Sequence, residues 1–310
     1  FTAIFIFFIW LTWPIKDIGT LRLIPKESEA YITLRIDPKD QGIKAILTIA
    51  EDRYVNVPGV SWIIPYLLPY RVSGGIIYKA DTPKKPDYLI IADMGWRIRL
   101  LKIAKRVSIY LGSERPPVEH SMYQGYWFMT TTKAKKSPVV GLAVIQGKVI
   151  ASNSIELLKK VIDGLQGSKA PFFESPSISY LYYTMPEYDG LFLISNTDGW
   201  LTSIIRDAED KSDYSIFPSV EAVDAIGIGL DIVDVDWVDG MVVLLPYHLS
   251  RGEEMGEDVR FLKGIIRRVF MAQDIDVQGD VTVQRGNVHF TFTGKGFKTL
   301  WEKALAGEGL

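Results

Sequence analysis

The sequence predicts an α+β protein: an N-terminal transmembrane helix, then mixed, mostly antiparallel sheets packed with helices, with a duplicated module as one form of that plan. Three observations point there. The opening run FTAIFIFFIWLTW is uncharged and apolar on every side, a pattern suited to lipid or to the inside of a partner rather than to one face of a soluble helix. Short alternating strands with tight turns follow, which is how antiparallel sheets read. Three segments, starting at Leu89, Lys148 and Leu191, repeat one order: apolar strand, a few Asp, Asn, Ser or Thr residues, amphipathic helix.

Taken in order, Phe1 to Trp13 predicts the membrane anchor, with Phe1, Phe5, Phe7, Phe8, Trp10 and Trp13 as its lipid-facing residues. At 1.5 Å per residue the run reaches about 20 Å, short of a hydrocarbon core of about 30 Å, so the numbering is expected to open partway through the helix. Trp10 and Trp13 stand just before the first charges, where an interfacial aromatic belt sits. Glu29 to Asp37 alternates and predicts the first strand. A helix from Gly42 to about Asp52 follows, then a proline-interrupted segment, SWIIPYLLPY, read as a short helix ending in a turn. Gly74 to Ala80 and Pro86 to Asp93 read as paired strands joined by a hairpin loop over Thr82 to Lys85. Glu119 to Thr132 is aromatic-rich strand, and Pro138 to Ile150 is a hairpin turning at Gln146-Gly147.

Asp93, Ser152 or Asn153, and Asn196 to Asp198 are the N-cap candidates of the three repeated segments. Near the C-terminus the pattern gives a helix over Glu254 to Ala272, a strand over Ile275 to Gln284, a turn at Arg285 to Asn287, a strand over Val288 to Thr293, and a last helix over Phe297 to Leu305. The expected division is anchor 1–16, first module 17–115 and second module 116–310.

Composition narrows the function classes. The net charge is −2 over 310 residues, unlike the basic domains that hold nucleic acid. There is no cysteine, which removes disulfides, thiolate nucleophiles and cysteine-held metals together. The hydrophobic fraction of 47% suffices for a large core.

Several constellations invite a chemical reading. Asp231, Asp234, Asp236 and Asp239 loosely resemble a calcium loop, or else form the wet side of a strand whose alternation slips at a β-bulge after Ile232. His120, His248 and His289 are far apart and belong to no zinc or triad pattern. Gly227-Ile-Gly229 lacks the third glycine of a dinucleotide fingerprint. Arg97, Arg99, Lys102, Lys105 and Arg106 give a basic helix that either meets anionic lipid or is simply solvated. Trp62, Tyr66 and Tyr70 are candidate contacts with a partner or interface, or ordinary core. Tyr123, Tyr126, Trp127 and Phe128 either line an apolar cleft or fill the interior.

The stretch LIPKESEAYITLRID after an anchor, the segment GKVIASNSIELLKKVIDGL with its continuation to LFLISNTDGWL, and GIGLDIVDVDWVDGMVVLLP together resemble a bacterial membrane-anchored family known as domain of unknown function 3352. The resemblance implies an anchored extracytoplasmic (periplasmic) α+β protein and carries over no activity and no functional residue.

The leading expectation is a non-enzymatic, single-pass structural or assembly subunit of a membrane complex. Its partners would be membrane lipid and other subunits, with no nucleic acid and no cofactor. A lipid or apolar-ligand binding module and a metal-dependent hydrolase built on Asp231 to Asp239 are the alternatives.

Overall fold

A computed structural model describes residues 19–37, 39–54, 68–77, 86–100, 118–131, 139–165, 175–185, 187–196, 199, 202, 222–271 and 274–306. The chain divides into two compact units. Unit 1 is Phe1–Ser28, Leu34–Ile36 and Gly59–Phe173; unit 2 is Glu29–Thr33, Asp37–Pro58 and Glu174–Leu310.

Unit 1 carries β2 (Arg71–Ile77), β3 (Asp87–Asp93), β4 (Val118–Tyr123), β5 (Tyr126–Thr131), β6 (Gly141–Ile145) and β7 (Lys148–Ser152), in the order β2-β3-β7-β6-β5-β4. The alternation seen in the sequence buries Leu89 and Ile91 of β3, Ala143 and Ile145 of β6 and Ile150 of β7. Helix α2 (Ile155–Gly164) buries Leu157, Leu158, Val161 and Ile162 in this unit. Gly141 is needed for that fit, because a Cβ there would stand 2.6 Å from a Leu158 methyl. The turn falls at Gln146-Gly147, with φ of 40° and 84°; positive φ at both central residues matches the twist of a two-residue hairpin.

The α2 cap lies one step beyond the predicted Ser152 or Asn153. Ser154 Oγ accepts the Leu157 N–H at 3.3 Å. Ser152 is occupied with donating to the Tyr88 carbonyl (2.7 Å), and Asn153 both accepts the Tyr88 N–H and donates to the Pro86 carbonyl. Both side chains tie β7 to β3 instead.

Unit 2 carries most of β1 (Ala30–Arg35) with β8 (Gly190–Ser195), β9 (Val223–Ile232), β10 (Trp237–Pro246), β11 (Asp276–Gln284) and β12 (Asn287–Lys295), ordered β11-β12-β10-β9-β8-β1. Its helices are α1 (Gln41–Tyr54), α3 (Pro176–Thr184), α4 (Gly252–Met271) and α5 (Lys298–Ala306). Ser175 caps α3 by accepting from Ile178 N–H, with Pro176 at the first turn, where its fixed φ is favourable. One sheet face packs under α4 through Leu244, Met255, Val259, Val288 and Phe290. The same face continues under α5 through Val238, Val277, Phe297 and Trp301.

The expected fold class needs correction. Among the described residues strands predominate over helices, and within each unit the paired strands are antiparallel, β2-β3-β7-β6-β5-β4 in unit 1 and β11-β12-β10-β9-β8 in unit 2, rather than mixed sheets packed with many helices. Alternation reports which face of a strand is wet; it does not report which strand lies beside it. The transmembrane helix and the membrane localisation are corrected as well: among the described residues no helix is long and apolar enough to cross a membrane. The longest, α4, runs for 20 residues but holds Glu253, Glu254, Glu257, Asp258, Arg260 and Lys263 in its first three turns, a charge load no hydrocarbon core accepts. The anchor residues Phe1, Phe5, Phe7, Phe8, Trp10 and Trp13 themselves lie outside the described residues.

Candidate functional site

In unit 2 the sheet face opposite α4 and α5 carries an open trough of about 710 Å³ across β10, β12 and β11. Strand periodicity and register build it. Trp237, Lys295 and Asp276 form one cross-strand row; Asp239, Thr293 and Gln278 form the next; Thr291 and Asp280 close the third. All project to the same face because residues two apart on a strand share it. Between them Gly240 and Gly279 flank Phe292 in register. A Cβ on Gly240 would meet the Phe292 ring, and one on Gly279 would meet the Thr291 carbonyl. The two glycines therefore let Phe292 lie flat on the helix side while the trough side stays level.

Asp239 is the hub. Its Oδ1 accepts from Trp237 Nε1 at 2.9 Å and from Thr293 Oγ1 at 2.8 Å. The Lys295 ammonium stands 5.0 Å from the Trp237 ring centroid, within range of a cation–π attraction. Gln278 donates to Asp276 at 2.9 Å. Lys263 of α4 lies 3.6 Å from Asp280, a solvated pair of little energetic weight. The floor is thus a set of oriented polar groups beside a half-buried indole.

The other aspartates of the acidic run have separate structural tasks. Asp231 stands opposite Asp239 in the ladder, but its Oδ1 accepts the Asp189 N–H on the β8 side (3.2 Å). Asp234 accepts the Asp236 N–H and closes the turn. Asp236 accepts the Lys298 N–H at the start of α5 and, through its carbonyl, the Gly296 N–H. Four carboxylates each aimed at separate partners explain why the calcium-like spacing makes no cage; among the described residues no three acidic or histidine side chains are grouped to hold a metal. The slip in alternation after Ile232 is a hairpin turn over residues 233–236, with Val233 and Asp234 N–H groups both donating to the Trp237 carbonyl. The bulge in this hairpin lies instead between Leu245 and Pro246. Gly227-Ile-Gly229 runs mid-strand in β9, with Leu181 and Met185 against Gly227 and the Tyr188 ring against Gly229.

Unit 1 holds a second polar cluster of a different kind. Lys148, 1% exposed, donates to Asp93 at 2.7 Å. Asp93 also accepts the Gly95 N–H. Nearby, the buried Arg97 lies 3.8 Å over the Tyr70 ring and donates to the Leu68 carbonyl. Of the predicted contact residues, Tyr70 is therefore occupied within unit 1, although 39% exposed; Trp62 and Tyr66 lie outside the described residues. Of the basic helix, Arg97 and Arg99 are described and Lys102, Lys105 and Arg106 are not.

The aromatic set divides. Phe128 is buried, Trp127 stacks on His120 at 5.1 Å, and Tyr123 bonds Asp163 of α2. That bond, with Asp163's charge, raises the Tyr123 phenol above its ordinary value. His289 sits in β12, where burial lowers its imidazole below the ordinary range. Sequence reasoning missed Lys295, Thr293, Gln278 and Lys148. The signal for the first three was the polar half of the β11 and β12 alternation, which reads as ordinary solvent exposure until register joins it to Asp239.

No family model, curated protein or solved structure matches the chain.

Proposed function

We propose that the chain is a non-enzymatic binding subunit of a larger assembly, and that it holds its partner on the β10–β12–β11 face of unit 2. The observation carrying this reading is the trough: a level sheet face, open among the described residues, whose polar side chains are fixed relative to one another by three strands and by the Asp239 hub. Its geometry favours holding over reacting. Asp239 spends Oδ1 on Trp237 and Thr293, and Asp276 accepts from Gln278, so two of the carboxylates on this face are tied into the sheet's own polar network. A face open to water also forgoes the dry surroundings that strengthen electrostatic catalysis.

The test is the native size of the chain. Blue native electrophoresis of extracts should place it in a large assembly. A Gln278→Arg, Thr291→Arg variant, altering two exposed positions, should release it as a smaller species with an unchanged melting temperature. Migration of the unaltered chain as a lone monomer would refute the reading.

A further inference from the structure

The trough's chemistry narrows what it holds, an argument resting on the binding role proposed above. Its residues offer both donors and acceptors that the fold leaves unspent. Among the described residues Asp239 uses only Oδ1, which leaves Oδ2 to a ligand. Gln278 spends its amide N–H on Asp276 and keeps its carbonyl oxygen. Thr291 adds an exposed hydroxyl and Lys295 an exposed ammonium. Trp237 adds apolar ring surface at one end of this polar row, locked in orientation by its bond to Asp239.

Each simple ligand class leaves part of this set unused. An anion, whether phosphate or nucleic acid, would meet Asp239, Asp276 and Asp280 against Lys295 alone among the lining residues, and the balance repels it. A lipid tail would bury carboxylates and an amide without partners, which is costly. A basic peptide would bring its cations beside the ammonium of Lys295, which already stands 5.0 Å from the Trp237 ring centroid, and like charges repel there.

A polyhydroxylated ring uses the whole set. Each hydroxyl both donates and accepts, vicinal hydroxyls span neighbouring polar side chains, and the C–H face of a sugar packs on an indole, whose amphipathic character suits such contacts. An open trough of about 710 Å³ also suits a chain of rings rather than one enclosed molecule. We propose that the trough binds a neutral oligosaccharide carried by that partner, with Trp237 as the stacking wall and Asp239, Gln278 and Thr291 as the groups that read its hydroxyls.

The experiment uses the purified full chain and isothermal titration with three soluble probes, cellohexaose, chitohexaose and maltohexaose. Decalysine serves as a cationic control and inorganic phosphate as an anionic one. At least one oligosaccharide should bind. Gln278→Ala, an exposed edge-strand change that spares the core, and Trp237→Ala should each weaken it at least tenfold, while melting curves report on folding. If Trp237→Ala unfolds, Gln278→Ala alone decides.

Three outcomes overturn the proposal: no heat with any of the sugars at millimolar concentration, sugar binding unchanged in Gln278→Ala, or decalysine binding in place of sugar. Failure here leaves the assembly reading standing if the Gln278→Arg, Thr291→Arg variant still changes native size. Loss of both would remove the trough from consideration.

Discussion

Unit 1 encloses its polar cluster and unit 2 displays its own, although the two are made from the same parts. Both build antiparallel hairpins on X-Gly turns with positive φ at both residues, Gln146-Gly147 in one and Arg285-Gly286 in the other. Both start a helix from a serine cap, Ser154 and Ser175. In unit 1, Lys148 shares a strand face with buried Ile150 and is drawn into the interior, where Asp93 must match it. In unit 2, Asp239 and Lys295 stand on the face away from α4 and α5, and water can do part of that work. The contrast teaches that a charged residue's role in this fold follows from whether a helix covers its side of the sheet.

The sharpest way to break that comparison is Lys148→Met. Removing one partner of a buried pair typically costs about 3–5 kcal/mol. Asp93 retains the Gly95 N–H and is 22% exposed, so the low end, about 3 kcal/mol, is expected. Urea denaturation measures it. Lys295→Met on the open face should change stability by less than about 0.5 kcal/mol. Equal losses at the two positions would erase the distinction between the units.

Gly279→Ala comes next. Its Cβ would press on the Thr291 carbonyl and the neighbouring backbone, and overpacking of this kind costs about 1–3 kcal/mol. The loss should come with a disturbed trough, seen as shifted amide resonances at Gln278 and Thr293. A neutral effect would mean that the β11–β12 edge yields easily, and a rigid binding face would then be a poor description of unit 2. The two caps follow in size. Ser154→Ala and Ser175→Ala should each cost about 1 kcal/mol, and similar values would show that the local helix devices of the two units are equivalent even though their polar clusters are not.

Much of the fold was legible because its signals are local. Glu29 to Asp37, Pro86 to Asp93 and the Gln146-Gly147 hairpin declare themselves by alternation and by the turn residues positive φ requires. The candidate site was legible only at Asp239. Its neighbours Thr293 and Gln278 lie 54 and 39 residues further along the sequence, and only the register of β10 on β12 and β12 on β11 brings them together. Lys148 shows the opposite failure. A lysine opening a strand after a Gly turn reads as solvated, and nothing near it in the sequence reveals that Asp93 waits 55 residues earlier. The aspartate run misled for a related reason: spacing suggested a shared cation, whereas each carboxylate serves a different N–H or side chain.

The smallest effect tests the border between covered and open surface. His289 lies one row beyond the trough, between Val243 and Thr282 in register, and burial lowers its imidazole below the ordinary value. Its folded value therefore lies below the unfolded one of about 6.5. In the window between them the unfolded chain binds a proton that the folded chain does not, so stability rises with pH there. The contribution is fully present above about pH 6.5 and is lost as pH falls toward the folded value. Neither register neighbour carries a charge that would reverse this. His289→Gln should flatten the dependence of the urea midpoint on pH in the interval just below about 6.5, leaving the carboxylate-driven decline at lower pH in place. If the variant keeps the full slope in that interval, His289 is as wet as Thr291, and the boundary between the two parts of this face lies further toward β9.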